Sequence, residues 1–157
     1  MDVDWQIRRA RIDDSDQIAV IEAESFTDPW PRDGVRAVLA SAGVTGLVAE
    51  KDGRVLAYSI ARGVAEVAEI LDLAVRRDWR RAGVATALLQ RLLAAFAADG
   101  VREVFLEVRE SNRAAQALYR AHGFRAAGTR PSYYRNPTED AILLRLRLAG
   151  RAYERPQ

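Results

Sequence analysis

Three features of this chain have the types and spacing to do chemistry: the run Arg76-Arg77-Asp78-Trp79-Arg80-Arg81-Ala82-Gly83-Val84-Ala85-Thr86, the carboxylate Glu107 and the phenol Tyr119. The run joins a strand end to a helix start, and Gly83 and Ala85 keep that turn small. The first amides of a helix are unpaired and point outward, and the helix dipole favours an anion there. With four arginines around it, the turn is chemically suited to a pyrophosphate; the bland alternative is a solvated basic loop. It lacks the Gly-Lys-Ser/Thr of a Walker loop and has one of the three glycines of the dinucleotide fingerprint. Glu107 lies within Val104-Phe105-Leu106-Glu107-Val108. Desolvation there would raise its affinity for a proton and suit a general base, whereas pairing with Arg109 or another arginine would make it structural. Tyr119, on a helix after Asn112, is either a core aromatic or a proton donor, since a free phenol titrates at about 10.

Composition narrows the chemistry further. The 157 residues include no cysteine and one histidine, His122. Disulfides, thiolate metal sites, cysteine nucleophiles and histidine metal clusters are excluded, and a Ser-His-Asp triad could use only His122. His122 precedes a helix-ending Gly123, where a cation suits the dipole, and is assigned no chemistry. Acid–base work therefore falls to Asp, Glu, Tyr or the substrate. Net charge is only +2 and the basic residues are almost all arginine, with Lys51 the single lysine. That suits phosphate or carboxylate pairing more than a nucleic-acid surface. A content of 49% hydrophobic and 29% charged residues is that of a globular protein with a real core. No run approaches about 18 apolar residues and the first residues do not resemble a signal peptide, so no membrane partner and a cytoplasmic location are expected.

Hydrophobic periodicity predicts the elements that must position these groups. A strand is expected over 5–10, then a helix from the caps Asp13 and Asp14 to about Phe26, with Ile18, Ala19 and Ile21 on its apolar side. Asp28-Pro29-Trp30-Pro31 is a break before a short helix over 32–40. Strands over 46–50 and 54–62 flank Asp52-Gly53, a hairpin signal, and a third run covers 66–75. From Val84 the apolar residues fall at Leu88, Leu89, Leu92, Leu93 and Phe96, a helical spacing closed by Asp99-Gly100. A buried strand over 104–108 follows, then a helix over 113–121 capped by Ser111 or Asn112 and closed by Gly123, and final strands near 124–129 and 141–148. Residues 1–149 read as one domain and 150–157 as a loose tail. Hairpin strands first and a strand-helix-strand crossover later predict a mixed α/β sheet.

Arg80-x-x-Gly83-x-Ala85 resembles the Q/R-x-x-G-x-G/A signature of the GNAT acetyltransferases. Leu73-Ala74-Val75 before it, and Asn112 with Ala117-Leu118-Tyr119…His122-Gly123-Phe124 after it, are similar to the family's flanking patterns. The likeness covers nearly the whole chain. It implies the GNAT fold, a mixed and mostly antiparallel seven-stranded sheet with helices on both faces, splayed between its fourth and fifth strands. It also implies acetyl-CoA as cosubstrate and no metal. The pyrophosphate would rest on backbone amides of Arg81, Ala82, Gly83, Val84, Ala85 and Thr86. The pantetheine and acetyl carbonyl would rest on backbone groups of Leu73, Ala74 and Val75, with Asn112 also touching the cofactor. Phe105-Leu106-Glu107-Val108-Arg109-x-Ser111-Asn112, Tyr133-Tyr134 with Glu139-Asp140-Ala141-Ile142, and Phe26…Pro29-Trp30 are similar to the bacterial ribosomal-protein-alanine N-acetyltransferases within that superfamily. In that group the residue matching Glu107 is the base and the one matching Tyr119 the acid. Asp72 departs from the asparagine frequent in relatives. Thr27-Asp28 lengthens one loop and Arg135-Asn136-Pro137-Thr138 shortens another, and both would border the acceptor.

The implied reaction is direct transfer. Glu107 takes a proton from an ammonium, the amine attacks the thioester, Tyr119 protonates the departing sulfur, and a backbone amide near 73–75 stabilises the oxyanion. A protein or peptide N-terminus is the expected acceptor, with a ribosomal protein a candidate and the enzyme a monomer or weak dimer. At neutral pH an α-amine is roughly 400 times more often neutral than a lysine, worth about 3.5 kcal/mol. Lysine side chains or small amines are the second expectation. A non-catalytic RNA- or ribosome-binding module, holding phosphates with Arg76, Arg77, Arg80 and Arg81, is the third, and it leaves Glu107 and Tyr119 without roles. Glu69 is the reserve base, and Asp72 a local stabiliser of its strand. Trp30 with Pro29 forms a lid or a packed turn. Of Tyr133 and Tyr134, on alternating strand faces, at most one would flank a peptide.

Overall fold

The computed structural model describes residues 4–148; the tail expected over 150–157 lies outside them. In chain order the elements are β1 (Gln6–Arg9), α1 (Ser15–Ser25), α2 (Arg32–Leu39), β2 (Val44–Lys51), β3 (Arg54–Val64), β4 (Val67–Val75), α3 (Val84–Ala98), β5 (Glu103–Arg109), α4 (Arg113–Ala121), β6 (Arg125–Tyr134) and β7 (Glu139–Arg147). The strands form one sheet in the order β1-β2-β3-β4-β5-β7-β6. All neighbours are antiparallel except β4 and β5. This is the expected mixed sheet, and every expected element is present.

Each face of the sheet carries its own core. Leu88, Leu89, Leu92, Leu93 and Phe96 of α3, spaced for one helical stripe, are buried with Val104, Leu106 and Val108 of β5 and Tyr119 of α4. Ile18 and Ile21 of α1 and Val35 of α2 are buried on the other face with Val48, Tyr58 and Ile60. The α2 side is tight at Gly46, where an added Cβ would stand 2.8 Å from Leu39 Cδ2 and 2.9 Å from Ala10 Cβ. The β2–β3 turn uses Asp52 and Gly53 at φ 52° and 79°, the double left-handed geometry that suits a two-residue hairpin.

One expected cap is different. Asp14 makes no side-chain cap to α1. A single 3-10 turn, Ile12–Asp14, precedes the helix. The Asp14 carboxylate turns back to accept from Arg11 N at 2.6 Å and from Arg8 Nη1 and Nη2 at 2.8 Å each. Burial alone would raise this carboxyl, but those hydrogen bonds outweigh it and hold it below its ordinary value. A bidentate guanidinium is a stronger partner than a helix amide, so Asp14 is spent on joining β1 to α1.

The sheet opens where β4 and β5 meet. They pair in parallel only from Val67 to Ile70 against Glu103 to Leu106. Beyond that point the partner of β5 is β7 alone, while β4 stays with β3. A bulge at Leu71 marks the parting: Ala61 faces Ile70 and Ile60 faces Asp72, so one residue of β4 is extra. The bulge also reverses the alternation of side chains. Ala68 and Ile70 pack under α3, Leu71 packs toward α1, and Leu73 and Val75 point toward α3 again.

Candidate active site

The parting of β4 and β5 is a cleft of about 380 Å³ that brings together Leu73, Glu107, Asn112 and Tyr119. Leu106 and Val108 are buried under α3 and α4, so the alternating Glu107 points to the opposite face. Tyr119 reaches the same cleft from the α4 side. A carboxylate and a phenol therefore meet an opening that passes through the sheet.

Glu107 is held by Arg130 of β6 at 2.8 Å, and its side chain is only 12% exposed. The anticipated arginine partner exists, but it is Arg130 and not Arg109. Tyr119 packs its ring edge against Phe124, centroids 5.4 Å apart. Burial pushes its phenol above the ordinary 10.0, with a smaller contribution from Tyr134, so it carries a proton at neutral pH. Asn112 caps α4, its Oδ1 accepting from Ala115 N at 3.1 Å, which selects it over Ser111 as the cap.

The arginine-rich run forms the other end of the site. After a 3-10 turn, Arg77–Trp79, the backbone is left-handed at Arg81 (φ 65°) and again at Gly83 (φ 81°). Glycine is the one residue that adopts this without penalty. The first backbone bond into α3 runs from Ala87 N to Gly83 O at 3.1 Å, leaving the amides of Val84, Ala85 and Thr86 without a helical acceptor. Val84 is buried and fixes the helix start, while Arg81, Ala82 and Gly83 are exposed. The four arginines divide their work. Arg76 Nε donates to Val55 O at 2.6 Å and Arg80 Nε to Val75 O at 3.1 Å, fastening the strand ends; Arg77, Arg80 and Arg81 are all exposed. Asp78, the one acid in the run, is paired with Arg54 at 3.1 Å. Ala74 and Val75 are buried in β4 beside the cleft and, like residues 81–86, do not line its walls.

The remaining walls come from distant segments. Phe26, Thr27, Asp28 and Trp30 of the α1–α2 loop, Glu69 and Asp72 of β4, and Tyr133, Tyr134 and Arg135 complete the cleft. Both tyrosines line it, contrary to the alternation expected of a strand. Pairing jumps from Arg130↔Ala141 to Tyr134↔Glu139, and Ser132 is left-handed at φ 51°, so a bulge cancels the alternation. The two rings meet edge to face with centroids 5.0 Å apart. The Tyr133 phenol is pushed up to about 12, chiefly by its interaction with the Glu107 carboxylate. Tyr134 also rises to about 12, chiefly through burial. Trp30 lies in a packed turn that also forms a wall. His122 is buried at the end of α4, its Nδ1 2.9 Å from Leu118 O, in a capping role.

A buried polar group beneath the cleft was not anticipated. Glu22 on α1, 2% exposed, bonds Tyr58 Oη and accepts from Trp30 N at 3.1 Å. Tyr58 Oη also lies 3.2 Å from Asp72 Oδ2, and Asp72 Oδ1 accepts from Leu73 N at 3.0 Å. Asp72 is thus the local stabiliser expected of it. The hydroxyl has one proton for two carboxyl groups, so a second proton must be shared if both contacts are hydrogen bonds. Burial raises the Glu22 carboxyl above its ordinary value, against the lowering pull of its hydrogen bonds from Tyr58 and Trp30 N, and so favours the proton on Glu22. Its helical spacing from Ile18 and Ile21 places it on the apolar stripe of α1, a signal present in the sequence.

Comparison with known proteins gives this geometry a lineage. Residues 15–124 match the model of the acetyltransferase (GNAT) family. A Bacillus subtilis protein provisionally named as a ribosomal protein bS18-alanine N-acetyltransferase is 33% identical over 139 residues, 88% of this chain and 92% of its own. The Escherichia coli protein named ribosomal protein bS18-alanine N-acetyltransferase is 40% identical over 100 residues, 61% of this chain and 66% of its own. A crystal structure of the ribosomal-protein-S18-alanine N-acetyltransferase from Escherichia coli superposes with a TM-score of 0.85 at 30% identity, covering 91% of this chain and 93% of that one. Acetyl-CoA fits what is present: free amides at the start of α3, a left-handed turn at Gly83 and the exposed arginines Arg77, Arg80 and Arg81 suit its pyrophosphate. The sheet order, the parting of β4 from β5 and the match over residues 15–124 lead to one conclusion: the chain belongs to the GNAT family of acetyltransferases.

Proposed function

We propose that this enzyme acetylates the N-terminal α-amine of a protein, with a ribosomal protein as acceptor, using Glu107 as base and Tyr119 as acid. The observation that carries the reading is that these two side chains enter one cleft from opposite faces of the sheet. Bound acetyl-CoA supplies an activated acyl thioester. Residues 81–86 hold its pyrophosphate on backbone amides, and the β4 backbone at Leu73, Ala74 and Val75, with Asn112, holds the arm that reaches the cleft. Glu107 Oε1 accepts a proton from the acceptor ammonium and leaves a neutral nucleophile; the ion pair with Arg130 works against that step, and because the Arg130 side chain is 57% exposed, water screens its pull. Tyr119 Oη keeps its proton at neutral pH and is positioned to deliver it to the leaving group. Phe26, Trp30, Tyr133 and Tyr134 offer apolar surface to a peptide backbone entering the cleft. The bS18-alanine acetyltransferases among the relatives support a protein N-terminus over other amines.

One observation favours a second reading. Asp28, Glu69, Asp72 and Glu107 all line the cleft, and such an acidic wall also suits a small cationic amine. The test is acetylation of three acceptors read by mass spectrometry: a lysine-free peptide with an N-terminal Ala, an N-terminally blocked peptide containing lysine, and a polyamine. Product on the first alone is expected. Product on the second or third alone would overturn the α-amine reading.

A further inference from the structure

We infer that Arg109 is a positioning residue that latches the two acceptor-side loops to each other across the mouth of the cleft, an inference that rests on reading this cleft as the acceptor site. Arg109 ends β5, two residues beyond Glu107 and on the same face, and its side chain is only 20% exposed. Its guanidinium reaches three separate segments. Nη2 donates to Thr27 Oγ1 of the α1–α2 loop at 3.2 Å and to Arg135 O of the β6–β7 turn at 2.5 Å. Nη1 donates to Pro137 O at 3.0 Å and to Glu139 Oε1 at 3.2 Å. The guanidinium carbon lies 4.5 Å from the centre of the Tyr134 ring.

This arrangement uses nearly everything that distinguishes arginine from lysine: a planar fork with several donors and a face that stacks on an aromatic ring. Thr27 and Arg135 both line the cleft, and Arg109 is the side chain that bonds both. The fork is anchored from below. Glu139 also accepts from Ser111 N at 2.5 Å, so the charge that holds Arg109 is tied to the turn leading into α4. Loss of the fork would leave the two loops free to separate while β5, β7 and the α3 start keep their own hydrogen bonds. The effect belongs in acceptor binding, with the acetyl-CoA side spared.

The decisive variant is Arg109→Lys, which keeps a charge for Glu139 and cannot bridge Thr27 and Arg135 together. Hydrogen–deuterium exchange on the full chain is expected to speed up at both 26–30 and 135–138, by about tenfold for the loss of one charged hydrogen bond. The KM for the N-terminal Ala peptide is expected to rise about tenfold, while the KM for acetyl-CoA stays within about twofold. Thr27→Ala, which removes one arm, should move the peptide KM in the same direction by less. Unchanged exchange in either segment, or equal rises in the two KM values, would overturn the latch. Faster exchange at both segments with an unmoved peptide KM would overturn its role in positioning the acceptor. A wild-type enzyme that acetylates no N-terminal peptide would count against the acceptor reading alone, since exchange still reports whether the loops are joined.

Discussion

The cleft and the turn beside it that is the proposed carrier site are built from different materials. The proposed carrier site is backbone: one turn at Gly83, the unpaired amides of Val84 to Thr86 and the free edge of β4, all within a short stretch of chain. The acceptor end is side chains, drawn from α1, the α1–α2 loop, β4, β5 and β6 and held by ion pairs and hydrogen bonds over long sequence separations. A backbone site binds what every relative must bind and tolerates side-chain change around it. A side-chain site can be reshaped at its loops without disturbing the sheet.

Substitutions can break this contrast in graded steps. Glu107→Gln keeps the shape and a contact to Arg130 but removes the base, so turnover should fall by about 10²–10⁴ in steady-state kinetics. Tyr119→Phe should cost roughly 10² in turnover. Because burial holds the wild-type phenol above 10.0, its ionisation should cause no loss of rate as pH rises toward that value, which a pH–rate profile would check. Gly83→Ala forces a Cβ into a left-handed position at a cost of about 1–2 kcal/mol. It should raise the KM for acetyl-CoA roughly tenfold and leave the acceptor KM unmoved.

The smallest effect sharpens the contrast at the acceptor end. Glu22 has a raised carboxyl, so the folded protein keeps a proton that the unfolded chain releases. The contribution of Glu22 to stability is therefore full below its ordinary value of 4.5 and is lost as pH rises through the folded value. Glu22→Gln preserves the hydrogen-bonding shape of the protonated acid and should flatten that slope, changing stability at low pH by less than about 1 kcal/mol in chemical denaturation. A variant whose loss of stability instead grew as pH rose would show that Glu22 works as a carboxylate.

Legibility in the sequence followed the same division. The α3 stripe, the Asp52-Gly53 hairpin and the Gly83 turn are local signals, and each element appears where they point. Glu107, Tyr119 and Asn112 were visible in their motifs and meet in the cleft. What escaped was convergence. The residues alone offer Arg109 or another arginine as the partner of Glu107, and strand pairing with the β6 bulge selects Arg130. Both Tyr133 and Tyr134 line the cleft because that bulge cancels a two-residue period. Asp14 left its helix cap for a better partner in Arg8. Glu22 alone had a usable local sign, an acid on an apolar stripe.

On the proposed reading, backbone beside the cleft holds acetyl-CoA and side chains within the cleft do the chemistry. The most direct test is calorimetric titration of acetyl-CoA into Glu107→Gln, measured beside single-turnover rates at saturating acetyl-CoA for that variant and for Gly83→Ala. Glu107→Gln is expected to bind acetyl-CoA within about twofold of wild type yet turn over at least about 100-fold more slowly, while saturated Gly83→Ala turns over at the wild-type rate. Weakened acetyl-CoA binding in Glu107→Gln, or slow turnover in saturated Gly83→Ala, would contradict that reading.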